Sequence, residues 1–201
     1  MRRTHRPVAV ATVAAAMLAV TACSNAQPST RPTSSGPPPG SAGTNAGEVV
    51  VAAKFGADDA ATNYDKALVP NGARMLVGEY IYDGSTTVVL NVRGLVPNRP
   101  YGAHAHAMPC GPKGDDAGPH FQHNADPVKP SVNPAFANAR NEIWLDFTTD
   151  GQGNATVATT VPWVFSAKRP GSVVIHATAT QTGPGVAGMA GARLACLSVG
   201  F

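Results

Sequence analysis

The sequence is poor in charge, poor in cysteine and without any apolar run long enough to span a bilayer. Charged residues make up only 13% of the 201 positions, beside 21 glycines and 18 prolines, which excludes a coiled coil, a helical repeat array and an acidic disordered chain. Hydrophobic residues make up 43%, which is enough for the core of one domain with extensions.

The formal net charge of +3 does not indicate a nucleic-acid partner. Three of the 15 basic residues, Arg2, Arg3 and Arg6, lie in an N-terminal segment with the features of a cleaved export signal. Without them, the basic residues balance the 12 acidic ones. A chain with no net charge lacks the excess positive charge that binds phosphates, so we expect no nucleic acid as a partner.

Residues 1–22 resemble a signal peptide, with a positive start followed by an apolar stretch. The stretch ends in VTAC (20–23), which resembles the lipobox of bacterial lipoproteins. The resemblance implies cleavage before Cys23, a lipid on this cysteine, and an extracytoplasmic protein anchored to the bacterial cell membrane only through that lipid. Ordinary secretion with Cys23 as a spare thiol is the alternative.

Residues 24–47 are rich in Ser, Pro, Gly and Thr and contain almost nothing that a core would bury. Together with Cys23 they are predicted to form a disordered tether that leads to a folded domain of residues 48–201. A flexible coil of that length spans about 25–30 Å, enough to hold the domain clear of a membrane surface.

The domain alternates strand-like segments with turn residues and contains no long helical pattern. Turns such as DG (83–84) and DGQG (150–153) separate segments rich in Val, Ile, Thr and aromatics. The pattern predicts an all-β fold, an antiparallel sandwich or barrel of eight strands. The long gap 108–140 is predicted to be functional. The eight segments are 48–55, 73–82, 86–95, 101–107, 142–149, 154–161, 172–179 and 193–199.

Two cysteines remain in the domain once Cys23 is assigned to the lipid, namely Cys110 and Cys196. Disulfides form and persist outside the cytoplasm, so we predict that these two residues form one. Two buried free thiols are the alternative.

The domain contains five histidines. His104 and His106 are one residue apart on a predicted strand and therefore project from the same face. Two imidazoles on one strand make half of a site for zinc, copper, iron or nickel, although surface histidines are the simpler interpretation. His120 and His123 follow in a turn-rich loop that could present a ligand. For His176, which lies in an apolar strand, a hydrogen-bonded core histidine is the simpler interpretation.

Several segments, taken in order, resemble the copper/zinc superoxide dismutase family, and the resemblance covers the whole domain. They are GAHAH (102–106), the nearby Cys110, AGPHF (117–121), VIH (174–176) and GARLAC (191–196). The resemblance implies an eight-stranded Greek-key barrel with sandwich-like architecture, and superoxide as the substrate. It also implies a disulfide between Cys110 and Cys196, and copper held by His104, His106, His120 and His176.

The same resemblance implies catalytic roles for Arg193 and His120. Arg193 lies where the family has the arginine that guides its anionic substrate. Arginine is always protonated, so it supplies a fixed positive charge and hydrogen bonds to a small anion. His120 lies where the family has a histidine that gives one ring nitrogen to copper and the other to zinc.

The chain departs from the family at the zinc site. No histidine lies between His123 and His176, and RNEI (140–143) stands where the family has its last zinc histidine and aspartate. The loop ATATQTGPG (177–185) is short and uncharged, whereas the family has a long charged loop there, with an aspartate that links the two metal sites. Both departures resemble the copper-only branch, so we expect copper without zinc. The alternative is a second site built from His120, His123, Asp126 and Glu142.

Without zinc, the second ring nitrogen of His120 needs another partner to fix its tautomer. Glu142, Asp126 and Asp146 are candidates, and approximate alignment favours Glu142. The predicted function is an envelope-anchored superoxide dismutase that produces O2 and H2O2 at a copper site. A lipoprotein that buffers or delivers copper without turnover, and a structural barrel with incidental histidines, are the alternatives. Arg193 favours the enzyme, because a copper store needs no anion guide.

Overall fold

A computed structural model describes residues 48–201; the predicted signal peptide, Cys23 and the tether lie outside the described residues. Within this range the chain forms nine strands and one short 3-10 helix, Gly114–Ala117. None of these residues belongs to a helix with the length and hydropathy of a membrane span. The strands are β1 (Glu48–Lys54), β2 (Ala61–Asn63), β3 (Arg74–Tyr82), β4 (Ser85–Arg93), β5 (Pro100–His106), β6 (Phe147–Thr148), β7 (Ala155–Val161), β8 (Ser172–His176) and β9 (Arg193–Ser198).

The strands form two antiparallel sheets, which confirms the predicted all-β class. The first sheet has the order β1-β3-β4-β7, and the second has the order β2-β9-β8-β5-β6. Along the chain, successive strands pass repeatedly from one sheet to the other. No ladder of hydrogen bonds joins the two sheets within residues 48–201, so the fold is an open sandwich rather than a closed barrel.

Two strands differ from the prediction. β2 was missed because its three residues, ATN, give no alternation of apolar and polar side chains; it exists through its pairing with β9. The predicted strand 142–149 is reduced to β6. Before β6, the segment contacts β5 only through single hydrogen bonds and an isolated bridge, not through a continuous ladder. One of these hydrogen bonds runs from the backbone nitrogen of Leu145 to the carbonyl of Ala103 (2.7 Å).

The alternation of side chains along β5 and β8 separates the core from a second, polar face. Ala103 and Ala105 of β5, with Val173 and Ile175 of β8, are fully buried in the core between the sheets. The intervening residues, which include all three histidines of these strands, project from the opposite face of the second sheet. The loops that follow β5 and β8 cover this face, so the histidines are buried although they lie outside the main core.

Gly102 allows the loop after β8 to approach β5 closely. A Cβ atom at this position would lie 2.6 Å from the carbonyl oxygen of Thr178 and 2.8 Å from the Cβ of Ala190. Any side chain would therefore push this loop away from the strand that carries His104.

Cys110 and Cys196 form the predicted disulfide, which joins the long loop after β5 to β9. It closes a segment with a sequence separation of 86, for which the chain-entropy model gives a stabilisation of about 4–5 kcal/mol. A hydrogen bond from the Cys110 backbone to the Ser198 hydroxyl (3.0 Å) adds to the link. Because β9 begins at Arg193, the disulfide also holds the long loop beside this arginine.

Candidate metal centre

Four histidines from three parts of the chain meet on the polar face of the second sheet. His104 and His106 come from β5, His176 comes from the adjacent strand β8, and His120 comes from the loop that forms a backbone bridge with His106. One ring nitrogen of each histidine lies within 4.8 Å of the others. Within residues 48–201 this is the one group of His, Cys, Asp or Glu side chains with the geometry of a metal site.

Backbone hydrogen bonds determine which ring nitrogen two of these histidines present. The Nδ1–H of His106 donates to the carbonyl of Gly118 (2.9 Å), and that of His176 donates to the carbonyl of Gly191 (3.4 Å). A carbonyl oxygen only accepts, so each Nδ1 carries the proton and each Nε2 keeps a lone pair. The two Nε2 atoms lie 3.2 Å apart, and a cation between them would relieve the repulsion of their lone pairs.

Glu142 is the carboxylate that bonds to His120, as the alignment favoured. Its Oε2 accepts from His120 Nδ1 (2.8 Å) and from the indole nitrogen of Trp144 (2.7 Å). Its Oε1 accepts from the side-chain amide of Gln122 (2.8 Å). The Glu142 side chain is 1% exposed, and the three donors compensate for its burial. His120 therefore presents its Nε2 lone pair to the cluster.

His104 presents the opposite nitrogen. Its Nε2–H donates to the hydroxyl oxygen of Thr180 (2.6 Å). Its Nδ1 is the one buried side-chain nitrogen or oxygen without a hydrogen-bond partner among residues 48–201. Burial of an unpaired polar atom costs roughly 1–3 kcal/mol, and a metal ion would compensate for it. The four residues thus fit a metal, with Nδ1 of His104 and Nε2 of the other three as donors.

Burial also keeps the imidazoles of His104, His106 and His176 neutral. It is the main reason why the pKa values of His104 and His106 lie well below the usual 6.5, and it lowers the pKa of His176 to about 3. The proximity of His120 lowers all three further. Neutral imidazole is the form that binds metals, and a set of four nitrogen donors suits copper or zinc.

A cavity of about 820 Å³ leads to the cluster, and His120 and His176 form part of its wall. Arg193 and Lys129 line the same cavity. The Arg193 Nη1 donates to the carbonyl of Gly114 (2.8 Å), which fixes the guanidinium beside the histidines. Lys129 was not among the predicted site residues, because its sequence neighbours carry no sign that its loop folds over this cavity.

The other residues considered as partners of His120, or as ligands of a second metal site, do not contact the Nδ1 atom of His120. Asp126 forms hydrogen bonds within its own loop, and Asp146 bonds to the loop after β8. The ring of His123 stacks on Trp163, with ring centroids 4.6 Å apart. The alternative site that combined His123 and Asp126 with His120 and Glu142 is therefore not assembled.

Together, the antiparallel sandwich and the four imidazoles define a β-sandwich protein whose site could hold a transition metal. Residues 71–199 match the family described as copper/zinc superoxide dismutase. The chain belongs to this family. A comparison with curated proteins gave no match.

Two solved structures are similar to this chain. The Cu/Zn superoxide dismutase from Brucella abortus is 18% identical, with a TM-score of 0.50, over 75% of this chain and 98% of that one. A double mutant of a SOD-like protein from Bacillus subtilis is 21% identical, with a TM-score of 0.49, over 62% of this chain and 88% of that one. At such identities, the likeness to the Brucella protein supports the fold alone.

Proposed function

We propose that this protein is a copper-dependent superoxide dismutase that works without zinc. The observation that carries the proposal is the convergence of four imidazole lone pairs, while the remaining nitrogen of His120 is bonded to Glu142. Membership of the family supports copper as the metal and superoxide as the substrate. The ligands would be His104, His106, His120 and His176.

The environment of His120 supports a site that needs no zinc. A zinc ion shared with this ring would need a lone pair on Nδ1. In this structure Nδ1 carries a hydrogen and donates a hydrogen bond to Glu142. Trp144 donates to the same oxygen of Glu142, and Gln122 donates to the other. A buried carboxylate held in this way fixes the tautomer and orientation of His120, which is the structural role that a second metal would otherwise have.

Copper, when bound, would supply one-electron chemistry that oxidises one superoxide to O2 and reduces a second, with two protons, to H2O2. The residues of the chain attract the anion and hold the ligands in place. Arg193 and Lys129 give the cavity wall a positive potential that favours entry of a small anion. The His120 side chain is 17% exposed, so water reaches the site and can supply the protons.

We also propose that the domain is tethered outside the cytoplasm, on the bacterial cell membrane, by a lipid on Cys23. The VTAC motif supports this arrangement, and so does the disulfide, which suits an oxidising compartment. The full chain is expected to fractionate with membranes, and Cys23→Ser is expected to release it. A variant that stays with the membranes would contradict anchoring through this residue.

The proposed activity is tested by loading the protein with copper and zinc together. We expect one copper and no zinc by native mass spectrometry, and rapid superoxide decay on the same sample, which His120→Ala abolishes. One bound zinc would contradict the zinc-free site. Copper without turnover would favour the storage or delivery of copper.

Arg193→Gln separates an enzyme from a copper store in the same assay. Copper binding should persist, because Arg193 is not among the expected ligands, but the rate constant should fall by roughly tenfold and depend less on ionic strength. Arg74→Gln removes the same charge from the start of β3, in the other sheet, and is the matched control. Equal rates in the two variants would contradict a guiding role for Arg193.

A further inference from the structure

A chain of hydrogen bonds extends from His104 away from the proposed metal. The Nε2 of His104 lies 2.6 Å from the hydroxyl oxygen of Thr180, which lies 2.6 Å from Oδ1 of Asp146. Asp146 Oδ2 also accepts from the backbone nitrogen of Thr180 (2.7 Å), and Oδ1 accepts from that of Ala103 (3.2 Å). Asp146 thus joins the loop after β8 to the strand that carries His104.

The direction of each bond follows from the chemistry of the groups. An ionised carboxylate can only accept hydrogen bonds, so the Thr180 hydroxyl donates its hydrogen bond to Asp146. The Thr180 oxygen is then available as an acceptor, and His104 must donate to it through Nε2–H. This leaves the lone pair of His104 on Nδ1, the buried atom that has no partner in the protein.

We propose that Thr180 and Asp146 are positioning residues that select the tautomer and ring orientation of His104. They make this ring present Nδ1 to the metal, while the other three present Nε2. The inference rests on the proposed function for its purpose, since the tautomer matters only if His104 binds a metal. Partners of this kind orient a ligand and raise its basicity.

The loop after β8 is held firmly enough to act in this way. Thr178 donates a backbone hydrogen bond to Ala190 (2.9 Å), and Gln181 donates one to Met189 (2.8 Å), so the loop folds back on itself on both sides of Thr180. The close approach at Gly102 packs the same loop against β5. The Thr180 hydroxyl is therefore fixed with respect to the His104 ring.

The test compares Thr180→Val with Thr180→Ser in the full chain. Valine has a similar shape but no acceptor, so nitrogen NMR of the metal-free protein should show His104 losing its single Nε2–H tautomer. Copper affinity should fall by about tenfold. Serine keeps the hydroxyl and should restore both properties. Thr182→Val, at an exposed position of the same loop, is the control and should change neither.

Asp146→Asn provides a second route that does not depend on the folding of the valine variant. The amide oxygen is expected at the Oδ2 position, where it still accepts from the backbone nitrogen of Thr180, and this places the NH2 group at the Oδ1 position. The NH2 group then donates to the Thr180 hydroxyl oxygen, and the hydroxyl proton turns towards Nε2 of His104. The same loss of the His104 tautomer is expected. A wild-type tautomer in either variant would overturn the proposal. Because this readout needs neither copper nor superoxide, a failure of the proposed function, seen as absent turnover, is distinguishable from a failure of this inference.

Discussion

Glu142→Gln is expected to lower the affinity for copper by about 10- to 100-fold, the range found when a residue behind a metal ligand is replaced. Three donors converge on this carboxylate, from His120, Trp144 and Gln122. A glutamine offers one acceptor oxygen and one NH2 donor, so at least one of the three donors would face another donor. Even where the amide oxygen stays with His120, a neutral acceptor holds the tautomer and orientation of this ring less firmly than a carboxylate does. Competition with a copper chelator of known affinity measures the effect.

Glu79→Gln is the matched control for this substitution. Glu79 is also 1% exposed, but it lies in β3 and accepts from the guanidinium of Arg169 (2.9 Å). Both variants bury an amide in place of a carboxylate, and both should reduce the free energy of unfolding, but only Glu142→Gln should weaken copper binding. Equal copper affinities in the two variants would remove Glu142 from the site.

The sequence was sufficient to predict how the strands present the histidines. In AHAH (103–106) the small residues enter the core and the histidines face the opposite side, as the two-residue period requires. The strand pattern alone did not separate a ligand role for His176 from a core role, because an apolar strand also accommodates a hydrogen-bonded core histidine. His176 joins the cluster because the register of β5 and β8 places it opposite Gly102, next to His104.

The residues that form hydrogen bonds to the histidines were harder to predict than the histidines themselves. Glu142 and Asp146 lie in one short segment, and both were candidates for His120. The structure assigns Glu142 to His120 and Asp146, through Thr180, to His104. Which carboxylate meets which histidine depends on the path of this segment along β5. The hydrogen-bond ladder between the segment and β5 is interrupted there, and the sequence does not specify such an irregular path.

Thr180 itself had no signal in the sequence. It is one of several threonines in an uncharged loop, and only its position relative to His104 and Asp146 distinguishes it. Lys129 was missed for a similar reason, since its approach to the cavity depends on the folding of a long loop. Side chains that act through contacts between loops are determined by tertiary structure and leave no periodic pattern.

The metal-free protein is expected to lose stability steeply as the pH falls from about 6.5 to 5. Folding lowers the pKa of His104, His106 and His176, so the unfolded chain binds more protons than the folded one. The stabilisation is therefore complete above pH 6.5 and declines below it. For His176, with a folded pKa of about 3, the loss is about 2 kcal/mol at pH 5. His104 and His106 act in the same direction.

Denaturant unfolding of the metal-free protein at several pH values measures this loss, and His176→Gln isolates the contribution of one residue. The slope of the unfolding free energy against pH gives the number of protons taken up on unfolding, to which the three histidines together should contribute nearly three at pH 5. The variant should take up one proton fewer. Carboxyl groups contribute equally to both proteins, so the difference between the slopes reports His176. Identical slopes would show that this imidazole is not held neutral by the fold, and would contradict a site prepared for a metal before it binds.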